Sequence, residues 1–171
     1  MSSPSPTPVQ ALTAYIGLGS NLQQPALQLK LARAVIAGLP GVLEIAFSSL
    51  YESPPMGPQD QPHYFNAVMA INTTLEPLGL LAQLQQIETA QGRIRQEQRW
   101  VARTLDLDLL LYGEQQICLP ELQVPHIGIG ERAFVLYPLQ EIAPDLIIPG
   151  LGAIADVIKQ CPLNGLEKIS A

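Results

Sequence analysis

The segment Arg103-Thr-Leu-Asp-Leu-Asp-Leu-Leu-Leu-Tyr112 is the most informative stretch of the 171-residue chain. Alternate side chains of a β-strand share a face, so Asp106 and Asp108 would project together, with their Cα atoms about 6.6 Å apart. The leucines beside them would be buried behind the strand: Leu105, Leu107 and Leu109. Aspartate is depleted in strands, which favours a functional pair over two solvated side chains. Magnesium takes few protein carboxylates, so the pair predicts a magnesium site.

A group of arginines lies directly before this strand. Four of the nine lysines and arginines of the chain fall there: Arg93, Arg95, Arg99 and Arg103. The guanidinium group grips phosphate oxygens in pairs and keeps its charge, so arginines beside paired carboxylates predict a metal–polyphosphate site. The only tryptophan, Trp100, would anchor a hinge in this loop or stack on a base. A solvated basic loop is the alternative.

The patterns around this strand predict the fold. Strands are predicted at residues 12–18, 42–53, 65–75 and 106–112, with helices at 25–39 and 77–91 between them. A small hairpin near Gly113 and helices at 131–142 and 151–160 follow. The order βαββαβ predicts an α+β, ferredoxin-like fold: an antiparallel sheet with helices packed on it, plus C-terminal additions. Residues 1–12 are predicted to be a disordered polar tail, and residues 13–171 a single domain.

Composition excludes several classes of protein. Hydrophobic residues make up 47% of the chain and charged residues 14%, which excludes general disorder, and the net charge of −6 argues against a nucleic-acid partner. No apolar run approaches the roughly 20 residues of a membrane span. The N-terminus lacks a secretion signal, and the two cysteines are too far apart for a metal knuckle. We therefore expect a cytoplasmic protein without a membrane partner.

A proline-rich loop at residues 53–66 is long for a hairpin and ends in Tyr64 and Asn66, which predict a pocket with an amide that donates and accepts. A structural loop is an equal alternative. Each histidine, His63 and His126, follows a proline in a loop, where simple exposure is the usual outcome. The pair Gly17 and Gly19 is rejected as a dinucleotide motif because Leu22 replaces the third glycine.

Five segments occur in an order that closely resembles the 6-hydroxymethyl-7,8-dihydropterin pyrophosphokinase family of folate biosynthesis, over about residues 13–150. They are Tyr15-Ile-Gly-Leu-Gly-Ser-Asn21, Ser53-Pro-Pro-Met-Gly-Pro-Gln-Asp-Gln-Pro62, Tyr64-Phe-Asn66, Arg99-Trp-Val-Ala-Arg-Thr-Leu-Asp-Leu-Asp108 and Val124-Pro-His126. The resemblance implies transfer of the terminal diphosphate of ATP to the hydroxymethyl oxygen of the pterin, with release of AMP. It also implies the ferredoxin-like fold.

The resemblance assigns roles to individual residues. Asp106 and Asp108 would hold two magnesium ions that bridge the ATP phosphates, with Arg93 and Arg103 as catalytic phosphate contacts. The nucleotide side would include Gln85, Glu88, Arg95, Trp100, His126 and Arg132. The pterin pocket would be formed by Ser53, Pro54, Pro55, Met56, Tyr64, Asn66 and Phe134, with the ring stacked between Tyr64 and Phe134. The chain departs from the family pattern at Gln96, Glu121 and Ile127, which affects the phosphate grip.

The partners expected are therefore ATP and 6-hydroxymethyl-7,8-dihydropterin, with the chain acting as a monomer. The sequence patterns leave two other classes of function open. A pterin- or nucleotide-binding regulatory module on the same scaffold would leave the aspartates structural. An RNA-binding domain of similar topology is disfavoured by the acidity and by the lack of aromatic residues on the strand before Tyr112.

Overall fold

The computed structural model describes residues 10–21, 24–54, 63–91 and 105–170. Three main helices are present: α1 (Pro25–Ala37), α2 (Pro77–Ala90) and α3 (Ala133–Ile142). The short α4 (Ile154–Val157) runs into a 3-10 turn, Ile158–Gln160. The strands are β1 (Leu12–Ser20), β2 (Val42–Phe47), β3 (Leu50–Ser53), β4 (Tyr64–Thr73), β5 (Asp106–Tyr112), β6 (Ile117–Cys118), β7 (Gln123–Val124), β8 (Ile147–Ile148), β9 (Gly152–Ala153) and β10 (Glu167–Ser170).

The main sheet has six strands in the order β10-β3-β4-β1-β5, and β2 pairs with β4 beside β3. Every pairing in it is antiparallel. The molecule is therefore a mixture of helices and an antiparallel sheet, as the order of the predicted elements indicates. The predicted elements from β1 to α3 are present, and β6 and β7 form the small hairpin predicted near Gly113.

Each face of the sheet has its own core. On one face α1 and α2 pack over alternate residues of β1, including Ile16 and Leu18. On the other face α3, α4 and the 3-10 turn pack over Val68 and Leu110. Since the middle of β4 is buried on both sides, residues 67–71 form a continuous apolar run rather than an alternating one.

The predicted strand at 42–53 is wrong in one respect, because it is broken into β2 and β3 at Ser48 and Ser49. Ser48 both donates its backbone N–H to the Val68 carbonyl and accepts the Val68 N–H on its hydroxyl, each at 2.9 Å. A side chain that replaces a backbone acceptor in this way interrupts the regular ladder. After the break, β3 contacts α3 through the Tyr51 hydroxyl, which donates to Glu141.

The C-terminal part also differs from the sequence prediction. The predicted helix at 151–160 is reduced to α4 and the 3-10 turn, and the chain then returns to the sheet as β10. At the other end, β1 begins at Leu12, while residues 1–9 of the predicted tail lie outside the described residues. In the described ranges no helix has the length and apolar character required to cross a membrane.

Candidate active site

A cleft opens at the end of the sheet where β1 and β3 finish and β4 and β5 begin. It lies on the face of the sheet against which α3 packs, next to the first turn of that helix. Its lining residues are Gly17, Leu18, Gly19, Ser53, Pro54, Tyr64, Asn66, Ala67, Asp106, Asp108, Arg132, Phe134 and Val135. Eight of these were predicted as site residues from the sequence: Ser53, Pro54, Tyr64, Asn66, Asp106, Asp108, Arg132 and Phe134.

The two aspartates stand side by side on β5. Asp106 is opposite Gly19 and Asp108 is opposite Gly17 across the β1–β5 ladder. The flanking leucines are buried on the other face, as the alternation predicts. The Asp108 side chain is 41% exposed, so its oxygens are accessible from the cleft.

A histidine lies next to this carboxylate pair. The His126 backbone N–H donates to the Leu110 carbonyl at 3.0 Å, which attaches the loop after β7 to β5. Its Nε2 is 3.8 Å from Asp108 Oδ1. Its Nδ1 is buried and has no hydrogen-bond partner among the described residues. The structure thus places His126 beside the aspartates, where a phosphate contact was predicted.

The other wall of the cleft is formed by β3 and β4. Asn66 and Ser53 are buried, and Asn66 Nδ2 donates to Ser53 Oγ at 2.8 Å. Ser53 is paired with Tyr64 across the β3–β4 ladder, so the three side chains belong to one rigid corner of the sheet. A fixed amide beside aromatic surface can orient a flat, polar ring.

The start of α3 closes the cleft. The carbonyl of Arg132 accepts the N–H groups of Val135 and Leu136, both at 3.0 Å, which begins the helix. The Arg132 guanidinium carbon lies 5.9 Å from the centroid of the Phe134 ring. One cation and one aromatic ring therefore face the cleft from the same turn.

A partly buried polar cluster supports the corner from behind. Glu141 of α3 accepts hydrogen bonds from the Ser49 N–H at 2.8 Å, the Ser49 hydroxyl at 3.0 Å and the Tyr51 hydroxyl at 2.6 Å. Burial alone would raise the pKa of the Glu141 carboxyl, but these hydrogen bonds outweigh it and hold the pKa below its ordinary value. Burial and the contact with Glu141 raise the pKa of the Tyr51 hydroxyl.

Two predicted nucleotide residues occupy α2, and neither is among the described residues that line the cleft. Glu88 is 3% exposed, and its Oε2 accepts the Leu107 N–H at 2.9 Å. Leu107 lies between the two aspartates, so Glu88 provides the hydrogen-bond acceptor for the outer edge of β5 at the segment that carries both carboxylates. Gln85 is exposed on the same helix.

Several predicted site residues lie outside the described ranges and remain predictions: Pro55, Met56, Arg93, Arg95, Trp100 and Arg103. Gln96, where the chain departs from the family pattern, lies outside them as well. The other two departures, Glu121 and Ile127, are exposed in loops.

Sequence reasoning missed the glycines that form the floor of the cleft. Gly17 and Gly19 lie in the Tyr15–Asn21 segment of the family resemblance, but no role was predicted for them beyond a dinucleotide motif that was rejected. Their spacing of two residues on a strand was the available signal, because it puts both on one face. Opposite the aspartates, two positions without side chains leave the floor open.

The residues present fit magnesium. Within residues 10–21, 24–54, 63–91 and 105–170, no group of three or more His, Cys, Asp or Glu side chains could hold a metal ion. A metal here would therefore rest on Asp106 and Asp108 and complete its shell with water and substrate oxygens. Magnesium prefers this arrangement, with one or two carboxylates and phosphate oxygens.

The sequence of the chain is similar to those of known proteins. The family model for 7,8-dihydro-6-hydroxymethylpterin-pyrophosphokinase matches residues 15–144. A 2-amino-4-hydroxy-6-hydroxymethyldihydropteridine pyrophosphokinase from Pseudomonas aeruginosa is 48% identical over 155 residues, which are 91% of this chain and 95% of that protein. The protein of the same name from Haemophilus influenzae is 50% identical over 159 residues, which are 93% of this chain and 99% of that protein.

A similar fold has been solved in a larger protein. Wild-type HPPK-DHPS from Plasmodium falciparum superposes with a TM-score of 0.69 at 15% sequence identity. The match covers 88% of this chain and 41% of that one, so this chain spans less than half of the larger protein. The family model matches most of the chain, and two relatives share 48% and 50% of their residues with it over 91% and 93% of its length. This chain therefore belongs to the 7,8-dihydro-6-hydroxymethylpterin-pyrophosphokinase family.

Proposed function

We propose that the chain transfers diphosphate from ATP to the hydroxymethyl group of 6-hydroxymethyl-7,8-dihydropterin, giving AMP and the pterin diphosphate, a step of folate biosynthesis. The observation that carries the proposal is the shared cleft. In it, Asp106 and Asp108 face the corner of the sheet that is formed by Ser53, Tyr64 and Asn66. One wall offers oxygen ligands for a metal–phosphate group, and the other offers a slot for a flat ring. The strand order supports assigning the sheet to the ferredoxin-like fold.

In this proposal the acceptor pocket binds the pterin between Tyr64 and Phe134. Both rings line the cleft, from β4 and from the first turn of α3. Asn66 donates one hydrogen to Ser53, which fixes the plane of its amide. Nδ2 also donates to the Tyr64 carbonyl at 3.5 Å, so the amide offers its oxygen as an acceptor to the polar edge of the ring. Pro54 forms the adjacent wall, and the predicted contacts of Pro55 and Met56 complete the pocket.

The nucleotide would lie over the aspartates. Asp106 and Asp108 would hold two magnesium ions, which neutralise the phosphate oxygens of ATP. His126 and Arg132 approach the same region from neighbouring elements. Gln85, Glu88, Arg95 and Trp100 remain predicted contacts of the nucleotide, and Arg93 and Arg103 remain predicted contacts of the transferred diphosphate.

The chain acts chiefly by positioning and by charge. The pterin hydroxyl oxygen forms a bond to the β-phosphorus, and the bond from that phosphorus to the oxygen bridging it to the α-phosphate breaks. AMP leaves with the bonding electrons. No described side chain is an obvious general base, so the hydroxyl proton is released to water, with Asp106 or Asp108 near enough to assist. The predicted arginine contacts would stabilise charge on the departing phosphate. Holding both substrates in one cleft removes much of the entropic barrier.

One experiment tests the proposal. Purified protein is incubated with Mg²⁺, ATP and 6-hydroxymethyl-7,8-dihydropterin, and AMP is measured by chromatography. AMP that forms only when the pterin is present supports the diphosphate transfer. Pterin binding without AMP would instead favour a binding module, and ADP with phosphate would contradict the assigned bond cleavage.

Both halves of the cleft come from one chain, so we propose that the monomer is active. A rate of AMP formation that is linear in protein concentration would agree with this.

A further inference from the structure

The C-terminal segment returns to the pterin side of the cleft. The family match ends at residue 144, and nothing in that match assigns a role to the residues beyond it. In the structure β10 pairs with β3, with Glu167 opposite Glu52 and Lys168 opposite Tyr51. Since β3 ends at Ser53, the C-terminal strand lies directly beside the strand that carries the pocket.

Just before β10 the chain packs closely against Pro54. Gly165 has a φ of +85°, and a Cβ added to it would lie 2.9 Å from Pro54 Cγ and 3.2 Å from Pro54 Cδ. The proline ring is rigid, so this contact leaves no room for a larger residue. Leu166, the next residue, is 6% exposed in the core beneath α3. The segment is thus held against the pocket wall at Gly165 and in the core at Leu166.

A second cavity lies between this segment and the pocket wall. It shares Ser53, Pro54, Arg132 and Phe134 with the cleft. Its far side is made by the C-terminal segment and the helix start: Glu131, Ala133, Leu163, Asn164 and Leu166. Pro54 and Phe134 therefore form a partition, with the cleft on one side and the C-terminal segment behind it.

Further contacts link this segment to the rest of the sheet corner. Lys168 Nζ is 3.8 Å from Glu141 Oε1. Glu141 also accepts the hydrogen bonds from Ser49 and Tyr51 at the start of β3. The position of β3 is consequently coupled to β10 by backbone pairing and by the same carboxylate.

We propose that residues 163–168 are a positioning element of the acceptor pocket, which hold Pro54 against the cleft and so set the width of the slot for the pterin ring. This inference rests on the proposed function. These residues do not touch the reacting atoms. They act through Pro54 and β3, so they influence binding of the pterin and leave binding of ATP unaffected.

The test compares two glycine substitutions. Gly165→Ala puts a methyl group against Pro54, whereas Gly152→Ala is a matched control. Gly152 has a φ of +107°, and an added Cβ meets nothing within 4 Å. Both variants carry the backbone strain of an L residue at positive φ, but only the first displaces the pocket wall. For Gly165→Ala we expect the KM for the pterin to rise about tenfold, with the KM for ATP and the kcat at saturating pterin within about twofold of wild type.

The outcomes separate this inference from the proposed function. AMP formation by the wild-type protein establishes the reaction, and the inference is then judged only on the ratio of each variant to wild type. An unchanged pterin KM in Gly165→Ala, or an equal change in Gly152→Ala, would overturn the positioning role. If Gly165→Ala does not fold, Leu163→Ala is the second variant. Leu163 is 50% exposed, so its truncation should leave the fold intact, and it lines the second cavity. A selective rise in its pterin KM would support the role, and no rise would refute it.

Discussion

Gly19 occupies the centre of one row of residues across the sheet, between Asp106 on β5 and Asn66 on β4. A Cβ added there would lie 3.2 Å from Asn66 Oδ1, which is closer than most real contacts of this kind. Asn66 is held on its other side by the hydrogen bond to Ser53. A methyl group at this position would therefore shift a pocket residue that has little freedom to adjust.

We predict that Gly19→Ala raises the KM for the pterin by about tenfold and changes the KM for ATP much less. The Asn66 side chain would have to move by a few tenths of an ångström to accommodate the added methyl group, which displaces its amide in the pocket. Steady-state kinetics with each substrate varied in turn would measure this. Gly79→Ala is the control, since nothing lies within 4 Å of its added Cβ and alanine is favoured in the helix α2. Equal pterin KM values for both variants would contradict the prediction.

The aspartates can be tested by an isosteric change. We predict that Asp106→Asn and Asp108→Asn each lower kcat by about 100-fold or more, because the amide loses the charge that holds a cation against phosphate. Turnover would be followed as AMP release across a magnesium titration, with the unfolding free energy measured in parallel. Asp156→Asn is a matched control on α4, where the exposed carboxylate lies 3.6 Å from Lys159 Nζ. Near-normal turnover by Asp106→Asn with magnesium present would remove the metal assignment.

At the scale of elements, β5 owes part of its position to α2. The Leu107 N–H lies between the two aspartates, and it donates to Glu88 instead of to another strand. Glu88 is buried beside it. This explains why a carboxylate is placed at a position where burial is otherwise costly.

We predict that Glu88→Ala lowers the free energy of unfolding by about 1–3 kcal/mol, because a buried backbone N–H loses its acceptor. Glu88→Gln keeps an acceptor oxygen and should lose less. Urea denaturation gives the free energies, and hydrogen exchange at the Leu107 amide shows whether the edge of β5 has opened. If the alanine and glutamine variants were equally stable, the hydrogen bond would not be important for β5.

The elements also show what the sequence could and could not predict. The spacing of Asp106 and Asp108 is a local signal, and it correctly gave both the strand and the shared face. The break at Ser48 depends on the backbone of Val68, twenty residues away in sequence, and no local pattern reveals it. The strand β10 is only four residues long, which is too short to show a strand pattern in its sequence. It forms because it pairs with β3. Contacts that join distant segments were the ones that sequence reasoning missed.

At the scale of the whole molecule, Glu141 joins three parts of the chain. It extends from α3, accepts hydrogen bonds from the start of β3, and lies 3.8 Å from Lys168 on β10. The hydrogen bonds to the carboxylate favour its ionised form. Because its pKa is below the ordinary value of 4.5 in the folded protein, the folded state favours the charged form relative to the unfolded chain.

The sign of the resulting pH dependence follows from linkage. Stability from Glu141 is fully present above pH 4.5 and is lost as the pH falls through the lowered pKa, since the unfolded chain then binds the proton more readily. We predict that the wild-type free energy of unfolding falls more steeply below pH 4.5 than that of Glu141→Gln, which cannot titrate. Tyr51→Phe removes one of the hydrogen bonds that lower the pKa and should fall between the two. Denaturant unfolding at a series of pH values from 7 to about 3 measures the three slopes. Parallel curves for wild type and Glu141→Gln would show that this carboxylate does not couple β3, α3 and β10 through its charge.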